Sequence, residues 1–125
     1  MIVTQEQLEK EVIDLSIAGE SEVFKSLQQQ FVHAKFRGRD FTGCGFFAYF
    51  DVPDEYKIDN LHGHIDDVHA LFERPEEILC FVLWIENGKI DCLEGFQGSG
   101  QEWNNDYTGA KFGYMVKERR YYLDY

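Results

Sequence analysis

Three histidines and two aspartates fall within the eight residues His62 to His69, HGHIDDVH. Imidazole nitrogens and carboxylate oxygens bind zinc or iron when three of them converge on one point. On a helix, His62, Asp66 and His69 share a face, with Leu61, Ile65, Val68 and Phe72 on the apolar side. On a strand, His62, His64 and Asp66 share a side while His69 points away. Periodicity favours the helix slightly and Gly63 weakens it, so spacing alone leaves both forms open.

Other residues suit other chemistry. A nucleophilic mechanism needs a Ser, Cys or Thr beside a base. Cys44, between glycines in TGCGF, is the most exposed-looking thiol, with His33 or His69 as its available base. Nothing in the spacing couples them, and a small residue filling a glycine-rich strand is the simpler reading. Gly98-Ser99-Gly100 lacks the lysine and glycine spacing of a phosphate cradle and reads as a turn. Lys35, Arg37 and Arg39 alternate along one side of a strand. There Arg37 and Arg39 could grip an anionic ligand bidentately or pair with surface carboxylates. No catalytic residue is assigned and no cofactor is implied.

The elements that must position these groups are legible in the pattern. Thr4 with Gln7 forms a capping box ahead of Leu8, Val12, Ile13 and Leu15 at helical spacing. Ser21 caps a second helix with Val23, Phe24, Leu27 and Phe31 in one stripe, and the Gln28–Gln30 run reads as its solvated face. From residue 35 the period shifts toward two. Cys44, Phe46, Ala48, Phe50 and Val52 lie on one side of an internal strand and Gly45, Phe47, Tyr49 and Asp51 on the other. Gly43 and Gly45 suggest a bulge or a close backbone approach.

Asn87-Gly88 between two apolar runs signals a type I′ hairpin. An unbroken register then opposes Ile85 to Ile90, Leu83 to Cys92, Phe81 to Glu94 and Leu79 to Phe96. On that register Glu94 is a lone carboxylate on an apolar face, costly unless paired or protonated. Arg37, Arg39, a tyrosine hydroxyl or backbone amides are its expected donors. The residues after 110 add one or two strands.

Composition bounds the rest. A chain of 125 residues with 44% hydrophobic and 16% aromatic content is expected to form a single domain, residues 1–125. The net charge of −11 argues against nucleic acid and anionic membranes as partners. It suits a basic one. Nine acidic residues lie between Asp51 and Glu77 against two basic ones, Lys57 and Arg74. Cys44, Cys80 and Cys92 form neither a disulfide framework nor a zinc ribbon. They read as reduced, buried thiols in a cytoplasmic protein, since the acidic N-terminus has no signal-peptide core and ILCFVLWI is too short to span a bilayer.

The segments RGRDFTGCGFF and VHALFERPEEILCFVLWIENGKIDCLEGFQGSGQEW resemble a group of small bacterial proteins of unknown function. That group carries a TG-x-GFF segment and a strand–NG or DG–strand unit ending in LEGF or LEGY with a nearby Trp, here Trp103. The resemblance covers roughly residues 24 to 103. It departs at Asn104, where the group often has proline. It implies no activity, but it places DVHALFE on a strand. The opening cluster is then split across two strand faces, and no metal site is expected.

The fold expected is α+β, with N-terminal helices packed on one face of a mainly antiparallel sheet. The function expected is binding of a macromolecule, such as a basic protein, by an inhibitor, immunity-type protein or regulator. The alternative is a small-ligand or hydrolytic site built from Glu94, Arg37 and Arg39. Trp84 and Trp103 are the candidate aromatic contacts beside them, and the tyrosine-rich second half is either an interaction surface or a second small core.

Overall fold

The computed structural model describes residue 2 and residues 4–73 and 77–125. Arg74, Pro75 and Glu76, part of the acidic stretch, lie outside the described residues. Two helices open the chain. In α1, Gln5–Ser16, the Thr4 hydroxyl accepts from the Gln7 amide at 3.1 Å while the Gln7 side chain accepts from the Thr4 amide. In α2, Glu22–His33, Ser21 accepts from the Phe24 amide at 3.2 Å. Each cap satisfies an amide that the first helical turn leaves unpaired.

Strands β1 (Lys35–Phe41) and β2 (Gly45–Asp51) follow as an antiparallel pair. After a 3-10 turn at Asp54–Tyr56 come β3 (His62–Ile65), β4 (Val68–Leu71), β5 (Ile78–Glu86), β6 (Lys89–Gln97), β7 (Lys111–Tyr114) and β8 (Tyr121–Asp124). All pair antiparallel, in the order β1-β2-β6-β5. Beyond β5 the sheet divides. β3 and then β8 extend its Leu83–Ile85 end, while β4 and then β7 extend its Ile78–Cys80 end. Both helices pack on one face, over Phe46, Leu79, Phe81, Leu83, Ile85 and Leu93. Each such side chain contributes roughly 1.5–3 kcal/mol by leaving water. This is the α+β arrangement expected.

The Asn87-Gly88 turn forms, with φ of 53° and 76°. The register beyond it differs from the unbroken one. Ile85 opposes Ile90, but Trp84 opposes Cys92, so Asp91 is an extra residue bulged out of β6. Leu83 therefore opposes Leu93, Val82 opposes Glu94 and Phe81 opposes Gly95. The reason is energetic. Strict alternation from Ile90 would turn Leu93 to the outside and sink Glu94 among apolar side chains. One bulge reverses both placements at the loss of one ladder position, and Leu93 ends with 0% exposure.

A second bulge, between Phe36 and Gly38, separates the basic cluster of β1. Arg39 turns to the helix side and grips Glu9 bidentately, with Nε and Nη2 each 2.6 Å from a carboxylate oxygen. Arg37 lies on the opposite side. The three basic residues of β1 do not line one side.

Gln30 is not on a solvated face: it is 0% exposed. Its amide donates to the Gly88 carbonyl at 2.7 Å and the Tyr56 carbonyl at 2.9 Å, and its oxygen accepts from the Ile90 amide at 2.8 Å. It thus completes the backbone of the hairpin end, where the helix overhangs the turn. Gly88 is also a tight contact, since a Cβ there would sit 2.1 Å from the Ile58 carbonyl oxygen. A third polar tie is Asp67, 0% exposed, which accepts from Arg119 Nε at 2.6 Å and the Arg120 amide at 2.8 Å.

Replacing Gln30 by Ala removes the side-chain partner of the Ile90 amide and of the Tyr56 carbonyl, while the Gly88 carbonyl keeps the Ile58 amide at 3.0 Å. Gln30→Ala is expected to cost about 3 kcal/mol, while Gln29→Ala, on the exposed neighbour, stays within about 0.5 kcal/mol. Urea unfolding followed by tryptophan fluorescence measures both.

Candidate functional site

Among the described residues no helix covers the second face of the sheet. Strand alternation brings Phe47 and Tyr49 from β2, Cys92, Glu94 and Phe96 from β6, and Cys80, Val82 and Trp84 from β5 to that side. His64 opposes Trp84, Tyr122 opposes His64, and His69 opposes Cys80. Most of these side chains are half-buried by one another rather than by a second layer. The rings form two groups on this face. Phe47 and Tyr49 stack with centroids 6.3 Å apart, and the His64 ring lies 5.1 Å from Trp84 and 5.0 Å from Tyr122.

Glu94 stands in the middle, directly between Phe47 on β2 and Val82 on β5. The Trp84 indole donates to its Oε1 at 3.1 Å. Among the described residues no cation pairs with it. The Cys92 thiol is pushed up from 9.0 to about 12, first by burial, then by Asp91 and Glu94. The Tyr49 phenol is raised too, by desolvation and then by Asp40. Both shifts come first from burial, which disfavours a charged form, and the neighbouring carboxylates add to it.

Sequence reasoning named Glu94, Arg37, Arg39, Trp84 and Trp103 as site residues. The structure joins Glu94 to Trp84, though on the face opposite to the one the unbroken register implied. Arg37 lies at the margin of that face, 3.1 Å from Asp51, with its guanidinium carbon 5.2 Å from the centre of the Tyr49 ring. Arg39 and Trp103 belong to the other side. Trp103 is buried edge-on against Phe46 at 5.1 Å, and its indole donates to Asn105 and Tyr107. Glu94, Arg37 and Arg39 therefore do not form one site. Phe47, Tyr49 and Phe96 were not singled out. Their signal is alternation in two strands whose inner residues are already committed to the core.

The histidine stretch is two strands, not a helix. The chain breaks pairing at Asp66 and Asp67, which resets the alternation, so His69 shares a face with His62 and His64 instead of opposing them. Their cross-strand partners, Trp84 and Cys80, still hold His64 and His69 apart. Among the described residues no three His, Cys, Asp or Glu side chains converge as a metal site. The cysteines are all free, but only Cys92 is buried; Cys80 is half-buried and Cys44 exposed, because it precedes β2 in the turn from β1. No described helix is long and apolar enough to cross a membrane.

A groove of about 830 Å³ lies on the helix side, lined in part by Ile17, Phe31, Val32, Phe36 and Phe50. Its charges pair locally, Lys10 with Asp14 and Lys25 with Glu20. It offers apolar volume without a directed polar group. No family model, curated protein or solved structure matches the chain.

Two outcomes follow. A maleimide reagent should label Cys44 rapidly in the native protein and Cys92 only after unfolding. The raised Cys92 pKa also has a sign. Its contribution to stability is complete below pH 9 and declines as pH rises from 9.0 toward 12. Cys92→Ala should flatten that alkaline decline in urea titrations.

Proposed function

We propose that the protein binds a basic protein across the helix-free face of its sheet, acting as an inhibitor, an immunity-type protein or a regulator. The observation that carries this is the half-exposed aromatic surface around an uncompensated carboxylate. Aromatic centres with polar rims typify recognition surfaces. The net charge of −11 supplies long-range attraction toward a basic partner. Part of the acidic stretch is consumed internally: Asp51 pairs with Arg37, Asp54 with Lys89, and Asp67 with Arg119. Steering is thus better assigned to the whole chain and to the carboxylates of the open face. The small-ligand or hydrolytic reading needed Glu94, Arg37 and Arg39 in one place, and it loses that support.

A photoreactive residue replacing Phe96 reports on the open face; one replacing Val32, 73% exposed on α2, reports on the helix side. In native lysate the first is expected to cross-link a basic protein and the second not. With that protein purified, association should slow by more than tenfold between about 0.05 and 0.5 M salt. Cross-linking from position 32 alone, or a salt-independent rate, would reject the proposal.

A further inference from the structure

We infer that Glu94 is the seat for an arginine side chain that the bound partner supplies. The inference rests on the docking reading above and specifies its central contact. The structure holds three carboxylate–arginine pairs among its described residues, and each is built over aromatic rings. Arg37 bridges to Asp51 over Tyr49. Arg39 grips Glu9 with its guanidinium carbon 4.7 Å from the Phe36 ring centre. Arg119 grips Asp67 with its guanidinium carbon 4.2 Å from the Tyr114 ring centre and 5.6 Å from that of Phe24. The recurring unit is a guanidinium against a carboxylate and over a ring, through two contacts for Arg39 and Arg119 and one for Arg37. It combines charge-assisted contact with cation–π attraction.

Glu94 has the carboxylate and the rings but no guanidinium. Phe47 lies directly across β2, Tyr49 lies one pair along it, and Trp84 holds Oε1 from the other side. Oε2 accepts from no described residue. A half-buried carboxylate with one neutral donor has lost part of its hydration without regaining a counter-charge. The Trp84 bond fixes its orientation, so an incoming cation meets a preset acceptor and little side-chain ordering is left. The flanking rings favour a planar, weakly hydrated guanidinium over a compact, strongly hydrated ammonium. The nearby cations do not serve: Arg37 is engaged with Asp51, and Arg39 is on the other face with Glu9.

The test uses amide NMR of the full chain with a hexa-arginine peptide as probe and hexa-lysine as comparison. The two tryptophans provide signal and control. The Trp84 indole N–H donates to Glu94, whereas the Trp103 indole is buried on the helix side. Hexa-arginine should shift the Trp84 indole resonance and leave that of Trp103 in place, with several-fold tighter binding than hexa-lysine. Glu94→Gln, whose amide oxygen can still accept from Trp84, should weaken hexa-arginine binding about tenfold. Glu86→Gln removes the same charge from exposed β5 and should change it less than about twofold. Phe47→Leu, which keeps apolar volume without a ring, should weaken it about threefold. An unmoved Trp84 indole, or equal effects of Glu94→Gln and Glu86→Gln, would overturn the inference. If position 96 cross-links a basic protein that binds Glu94→Gln as tightly as the parent, the docking face stands and the arginine seat fails. If nothing basic cross-links there while hexa-arginine still titrates Trp84 through Glu94, the seat stands and the docking reading fails.

Discussion

The extra residue at Asp91 decides which side of the sheet is which. Without it, the nine residues of β6 would deliver Glu94 to the core and Leu93 to solvent. With it, Ile90, Leu93 and Gly95 all face the helices, and Gly95 leaves the room that the Phe46 ring fills. Beside the bulge, the Ile90 amide donates to Gln30 of α2. One irregularity in the hairpin thus sets the core packing, the anchoring of the second helix and the exposure of Glu94 together. Bulges commonly re-aim side chains near functional positions, and here the re-aimed side chain is the carboxylate at the centre of the open face.

The helix layer is held on its side by directed polar contacts as well as by burial. Arg39 with Glu9 ties β1 to α1, and Gln30 ties α2 to the hairpin. Arg119 reaches Asp67 and also donates to the carbonyls of Ser16 and Ala18, each at 2.8 Å, which closes the end of α1. Removing one member of a buried pair is costly because the other is left desolvated and uncompensated. These ties specify one arrangement of layers, in which no described helix covers the second face of the sheet.

That open face has the composition expected of a surface kept for contact. Its rings cover one another enough to stay half-buried, and its carboxylates keep it from being purely apolar, which counters nonspecific association. The polar groups that might have served catalysis are distributed otherwise. His64 is packed against Trp84 and Tyr122, His69 is shifted toward its neutral form by burial, and Cys92 is held as the thiol. Each is placed by sheet packing, and the Cys80 thiol that stands across the ladder from His69 is raised by burial.

The sequence by itself determined what short-range chemistry can specify. The two helix caps, the left-handed Asn87-Gly88 turn, the alternation of β2 and the segregation of helices before strands all follow from neighbours within a few residues, and all appear in the structure. Three matters were decided only by tertiary packing. Whether Glu94 points in or out turns on one inserted residue, and the insertion is favoured because Leu93 and Glu94 must each reach the right side of a sheet the chain has yet to assemble. Gln30 looks like any glutamine in a polar run until α2 is laid over the hairpin end, where its amide meets backbone groups 26, 58 and 60 residues away. Arg37 and Arg39 look equivalent until a bulge at the sheet edge sends one to each face. In each case local spacing offers two orientations of nearly equal energy. The choice is made by long-range burial and by the cost of leaving a polar group unpaired inside.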